Sequence, residues 1–222
     1  FEDILRDTPL SYYGLLSAYA SGKNIDTFIE GNLPLALERD SHLAPADTLR
    51  LKRAEILLSQ GAPDLAAVDL RDIKPRDAHS NSFLVYLATL THLSGSYLTS
   101  FSMLSELILR GAEGVNSSHG LRLIFPEVHL DPIHKHAEAN GLDPILVLSL
   151  MKQESGFDRG AISSSGATGL MQLMPATATD TDPDVERSQL VDPDTNIRVG
   201  TKYLGQLMKR FNGNIVLSLT GY

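Results

Sequence analysis

The segment SLMKQESGFDRGAISSSGATGLMQLMPATA, residues 149–178, sets one glutamate, Glu154, between an apolar run and a stretch rich in Gly, Ser and Ala. Upstream, Asp143-Pro144 can open a helix, with Asp as cap and Pro in the first turn, where its missing N–H is not needed. Gly156 can close that helix. Val147, Leu150, Met151 and Glu154 then fall at i, i+3, i+4 and i+7, which puts the carboxylate on one stripe with three apolar side chains. Glu154 is therefore expected to face inward. Desolvation disfavours the charged form and raises a carboxyl pKa by up to ~3–5 units when burial is complete. The negative end of the helix dipole adds about 0.3–1 kcal/mol in the same direction. At ~1.4 kcal/mol per pKa unit, burial is the larger effect. A carboxyl still protonated near neutral pH is a general acid, a role worth about 10²–10⁴ in rate. The alternative at this position is a solvated or merely hydrogen-bonded Glu.

The residues that follow offer groups a sugar could use. GATG at 166–169 allows close backbone approach, Gln172 carries both a donor and an acceptor, and Ser163 to Ser165 carry hydroxyls. The same residues can equally form a turn and a capped helix, with Leu170, Met171, Leu173 and Met174 in the core. Other constellations are weaker. Asp180, Asp182 and Asp184 mimic the start of a calcium loop, but Val185 and Val191 stand where Gly and Glu are required, so no metal site is expected. His129, His134 and His136 read as surface residues. No G-x-S-x-G elbow surrounds the serines.

The elements that must position these groups are helical. Residues 1–122 repeat apolar side chains at three- and four-residue spacing, punctuated by Gly or Pro, with no convincing strand. Leu49, Leu51, Ala54, Leu57 and Leu58 lead to Gly61; Leu84, Leu87, Leu90 and Leu93 lead to Gly95. The two glycines stand 95 − 61 = 34 positions apart, the period of a helix-turn-helix repeat. Either stacked helical hairpins or an irregular helical domain fits. The texture changes near Leu123-Ile124-Phe125-Pro126, so a domain boundary is expected between 1–122 and 123–222. Further on, Asp192-Pro193 begins a scaffold helix through Ile197, Gly200, Leu204, Leu207 and Phe211, ended by Asn212-Gly213.

Composition narrows the classes. With 222 residues, 42% hydrophobic and 21% charged, the chain can bury one or two cores. A net charge of −8 and the lack of any basic run argue against a nucleic-acid partner. No apolar run nears the ~20 residues of a membrane span; ILVLSLM at 145–151 is far too short. Cys is absent, which removes disulfides, thiolate metal sites and Cys nucleophiles. The start at Phe1, with no export signal, and the end at Gly221-Tyr222 read as a piece of a longer chain.

Together, ESGFDRGAISSSGATGLMQLMPATA, the upstream DPILVLSLMKQES and the downstream VDPDTNIRVGTKYLGQLMKRFNGN resemble the soluble lytic transglycosylases, lysozyme-like enzymes that cleave bacterial peptidoglycan. The resemblance covers about 125–222 and includes the Phe125-Pro126 pair that opens the domain. A weaker match, at Tyr12-Tyr13-Gly14, is to the region linking an α-superhelix to the catalytic domain. The resemblance implies an all-α protein, a helical linker domain followed by a lysozyme-like domain cut short at its C-terminus. It implies that Glu154 is the catalytic acid and that Ser163, Gln172 and Met174 line the sugar cleft, with Gly169, Leu170 and Met171 setting its shape. Tyr222 matches the Tyr of the family's Tyr-Asn-Ala-Gly motif, which faces the catalytic Glu.

The implied reaction needs one acid. Glycoside hydrolysis usually takes two carboxylates, and the nearest second candidate, Asp158, reads as a solvated turn residue. By the resemblance, Glu154 protonates the oxygen between N-acetylmuramic acid and N-acetylglucosamine, the substrate's acetamido group stabilises the cation, and Glu154 then deprotonates the muramyl C6 hydroxyl. The product is a 1,6-anhydro sugar. Effective molarities of about 10⁵–10⁸ M let a held hydroxyl outcompete water. No cofactor is required, the partner is the glycan strand, and the place is the bacterial periplasm or envelope. A muramidase that admits water, or an inactive glycan-binding or assembly module meeting a protein partner through the helical domain, are the alternatives.

Overall fold

The computed structural model describes residues 17–18, 20–23, 43–73, 80–112, 115 and 117–222; the Tyr12-Tyr13-Gly14 match lies outside them. The chain divides into two compact units, Phe1–Pro126 and Glu127–Tyr222, a division four residues beyond the boundary read from sequence.

In the first unit, α1 (Pro45–Ser59) and α2 (Pro63–Asp72) form one helical hairpin, and α3 (Asn81–Leu93) and α4 (Tyr97–Leu109) form a second, followed by the short α5 (Ser118–Ile124). Each hairpin turns at a glycine with positive φ: Gly61 at +71° and Gly95 at +77°. The hydrogen bonds are of the kind that ends helices at such a glycine. Ala62 N–H reaches back to the Leu57 carbonyl at 2.9 Å, and Ser96 N–H to Thr91 at 2.8 Å. The same closure recurs after α4, where Ala112 N–H meets the Leu107 carbonyl at 2.9 Å. The 34-residue interval thus marks two like hairpins. Their inner faces fuse into one apolar core that includes Leu51, Leu70, Phe83, Leu87, Met103 and Leu107. A few polar ties cross it: Arg53 Nε donates to the buried Asp69 carboxylate at 2.6 Å, and the Tyr86 hydroxyl donates to Glu55.

The second unit opens with α6 (Leu130–Ala139) and α7 (Pro144–Ser155), continues through a looped segment to α8 (Pro175–Thr181) and a 3-10 turn (Arg187–Val191), and closes with α9 (Pro193–Arg210) and α10 (Ile215–Thr220). The predicted start signals operate. Asp143 Oδ1 accepts from Ile145 N–H at 2.8 Å at the head of α7, and Asp192 Oδ2 accepts from Thr195 N–H at 2.9 Å at the head of α9. Gly156, at φ +56°, ends α7, and Asn212 and Gly213, at +51° and +79°, follow the end of α9. Ile197, Leu204 and Leu207 of α9 are buried, as the scaffold reading requires. Between α7 and α8 the chain makes only isolated bridges, Ile162 with Thr168 and Thr168 with Leu173, and forms no strand among the described residues.

One histidine differs from the reading above. His136 is buried, because its Nε2 lies 3.0 Å from Asp194 Oδ1 at the head of α9. That partner sits 58 residues away, beyond the reach of local spacing. His134 is exposed.

Candidate functional site

Glu154 stands in the last turn of α7. Val147 and Met151, on its stripe, are fully buried and Leu150 nearly so, but Glu154 itself is exposed, which corrects the inward-facing expectation. At the end of α7 the buried face is instead that of Ser155, and Gly156 and Phe157, both at positive φ, continue into the core. Protein still crowds one side of the carboxyl, and the resulting desolvation raises its pKa above the ordinary carboxylate range. Burial is the cause, as expected, although it is partial. Asp158 is exposed, and its Oδ1 accepts from Gly160 N–H at 2.8 Å in a local turn, which leaves it a turn residue.

The loop below Glu154 is fastened by side chains that the sequence did not single out. Ser155 Oγ donates to the Leu170 carbonyl at 2.7 Å, joining the end of α7 to the loop. Asn196, fully buried on α9, accepts from Met171 N–H at 2.8 Å and donates to the carbonyls of Leu190 at 2.8 Å and Thr168 at 3.0 Å. Every polar atom of that amide has a partner, as a buried amide requires. Gly169 has φ +81°, and a Cβ there would lie 2.3 Å from both Asn196 Nδ2 and the Leu190 carbonyl. Gly200 is needed for space as well: its Cβ would meet Met171 Sδ at 2.4 Å.

The candidate residues divide into two groups. Gly169 and Met171 are buried and act on the shape of the loop, the Met171 side chain offering no surface to a sugar; Leu170 is buried with them. Ser163 and Gln172 are half-buried and Met174 is exposed. Ser163 Oγ accepts from Ala167 N–H at 3.0 Å, and Gln172 Nε2 donates to the carbonyls of Gly169 and Ala161 at 3.0 and 3.1 Å. The Gln172 amide thus spends its donors on the loop.

Tyr222 meets the same loop from the other end of the chain. Its hydroxyl donates to the Met171 carbonyl at 2.9 Å, and burial followed by the nearby Glu154 charge pushes its phenol well above the usual range. Tyr222 and Ser155, the residue after Glu154, thus bond to consecutive carbonyls of the loop. Tyr203, another residue missed from sequence, packs against Tyr222 with ring centroids 5.3 Å apart and donates its hydroxyl to the Gly221 carbonyl at 3.1 Å. No group of metal-ligating side chains occurs among the described residues, and Asp182 is committed to an ion pair with Arg198.

Chemically, the arrangement is one exposed carboxyl with a raised pKa at the end of a helix whose Ser155 is bonded to the loop that also holds the Tyr222 phenol. Residues 131–222 match the family profile described as Transglycosylase SLT domain. The chain is 30% identical to the membrane-bound lytic murein transglycosylase C of Edwardsiella ictaluri over 241 residues, 96% of this chain and 64% of that protein. It is 34% identical over 104 residues to the soluble lytic murein transglycosylase of Escherichia coli K12, 44% of this chain and 16% of that one. Among solved structures, an inactive glutamate-to-glutamine variant of the lytic transglycosylase Slt of Pseudomonas aeruginosa matches 97% of this chain and 34% of its own, with TM-score 0.66 and 27% identity. The chain thus spans less than two thirds of each of these relatives. Residues 131–222 thus match the Transglycosylase SLT domain, and the chain has the all-α, lysozyme-like fold of the lytic transglycosylases it resembles.

Proposed function

We propose that this protein cleaves the β-1,4 bond between N-acetylmuramic acid and N-acetylglucosamine in peptidoglycan without water, leaving a 1,6-anhydromuramyl end. The observation that carries the reading is Glu154, an exposed carboxyl in the last turn of α7 whose pKa is raised by desolvation. Two-carboxylate hydrolysis needs a partner within ~10 Å that is poised as base or nucleophile. The nearest in sequence, Asp158, is occupied in its turn.

Glu154 gives its proton to the glycosidic oxygen as the bond to the muramyl C1 breaks. The substrate's own acetamido oxygen supports the cationic centre. Glu154, now a carboxylate, takes the proton of the muramyl C6 hydroxyl as that oxygen bonds to C1. The residue ends protonated, so one carboxyl completes the cycle. Ser163, Gln172, Met174 and Tyr222 line the glycan's path, while Gly169 and Met171 hold the backbone that supports them. The names of the relatives, both murein transglycosylases, support the substrate class, and the inactive Pseudomonas variant supports a single essential glutamate. Murein as substrate places the protein in the bacterial envelope. No helix among the described residues is long and apolar enough to cross a membrane.

Digestion of purified peptidoglycan followed by mass spectrometry tests the reading. Muramyl products lacking the mass of one water are expected, together with a loss of about 10²-fold or more in rate for Glu154→Gln. Reducing muramyl ends would identify a hydrolase instead, and glycan binding without product a binding module.

A further inference from the structure

Helix α9 presents Asn196, Gly200 and Tyr203 at i, i+4 and i+7, on one stripe. Each meets a different part of the site. Asn196 holds the backbone of Thr168, Met171 and Leu190; Gly200 leaves room for the Met171 side chain; Tyr203 holds the last two residues of the chain. The first two fix the loop on which the Tyr222 hydroxyl rests, and the third fixes the Tyr222 ring. Tyr203 and Tyr222 both lie on the apolar cluster of Leu173, Ala178, Val185, Leu190 and Val199.

We propose that Tyr203 is a positioning residue for the reaction: through its ring and its bond to the Gly221 carbonyl it keeps Tyr222 on the Met171 carbonyl, one residue from the Leu170 carbonyl that holds Ser155 at the end of α7, and so sets the environment of the acid. The Tyr222 hydroxyl has the Met171 carbonyl, its ring has Tyr203 and the cluster, and the carbonyl of the preceding residue has the Tyr203 hydroxyl. Three of these reach back to a single helix stripe. Without Tyr203 the ring keeps only the apolar cluster, and water gains access to the loop beside the carboxyl. The shift at Glu154 has desolvation as its cause, so hydration there moves it back toward an ordinary carboxyl.

The importance of this geometry for turnover rests on the proposed function, but the test does not. The Glu154 side-chain carbon is followed by carbon-13 NMR through an acid-to-neutral titration in the resting 222-residue chain and in Tyr203→Phe and Tyr203→Leu, with thermal unfolding as the check of folding. The titration midpoint is expected to fall in the order wild type, Tyr203→Phe, Tyr203→Leu. In a Tyr222→Ala background, Tyr203→Leu is expected to cause no further fall, because the effect passes through Tyr222. A folded Tyr203→Leu that titrates like wild type overturns the proposal, as does an undiminished effect without Tyr222. Should Tyr203→Leu not fold, an unchanged midpoint in Tyr203→Phe has the same force. If the titration order holds while the chain yields no anhydro product, the functional reading fails and the positioning role stands.

Discussion

The hairpin turns and the loop beside Glu154 use glycine for opposite reasons. In the helical-hairpin unit, Gly61, Gly95 and Gly111 stand at corners with positive φ, and an added Cβ would meet nothing within 4 Å. In the second unit, Gly169 combines φ +81° with a Cβ position 2.3 Å from two polar atoms, and Gly200 is helical but pressed on Met171. The first set serves chain reversal, which many sequences can achieve. The second serves one particular arrangement of loop, helix and acid. The cores differ accordingly: the hairpins close over a continuous apolar cluster, whereas the loop beneath Glu154 hangs on the buried amide of Asn196 and the hydroxyl of Ser155. Apolar packing tolerates exchange of side chains of similar volume. A buried polar network does not, because removing one partner strands the others.

Substitution of the glycines breaks or sharpens this contrast. Gly169→Ala has the largest expected effect. A non-glycine residue in the left-handed region costs roughly 1–2 kcal/mol, and forcing an extra methyl into a packed site costs about 1–3 kcal/mol more. Denaturant unfolding of the chain should show the combined loss. A cost no greater than that of a corner glycine would mean that the loop yields easily. Gly95→Ala comes next, with only the backbone penalty of roughly 1–2 kcal/mol and no effect on the Glu154 titration. A change at Glu154 from that substitution would erase the distinction between the units.

Local chemistry made much of this fold legible. Asp143-Pro144, Gly156, Asp192-Pro193 and Asn212-Gly213 set the ends of α7 and α9 by caps that act within a few residues. The interval between Gly61 and Gly95 marked the hairpins for the same reason, since each turn is closed by bonds spanning five residues or fewer. What escaped depends on distant partners. Asn196 reads as an ordinary helix residue until Thr168, 28 positions earlier, is brought to it, and His136 reads as a surface residue until Asp194 is. Tyr203 carries no sign of its partnership with Tyr222. The inward reading of Glu154 failed differently. A helical stripe predicts burial only where something packs across it, and in the last turn of α7 the loop packs on Ser155 rather than on Glu154. The mid-helix residues Val147 and Met151 obey the rule and the terminal Glu154 does not.

The partial burial that remains is what the chemistry needs, because an acid must keep its proton and still reach the substrate. The shift has one sign only: protein on one side of Glu154 penalises its charged form, so the midpoint rises. Titration of the Glu154 side-chain carbon by NMR in the unmodified chain therefore tests the account most directly. The account predicts a midpoint above the ~4.3 of an unperturbed glutamate. A midpoint at or below that value, in a folded chain with Tyr222 in place, would contradict it.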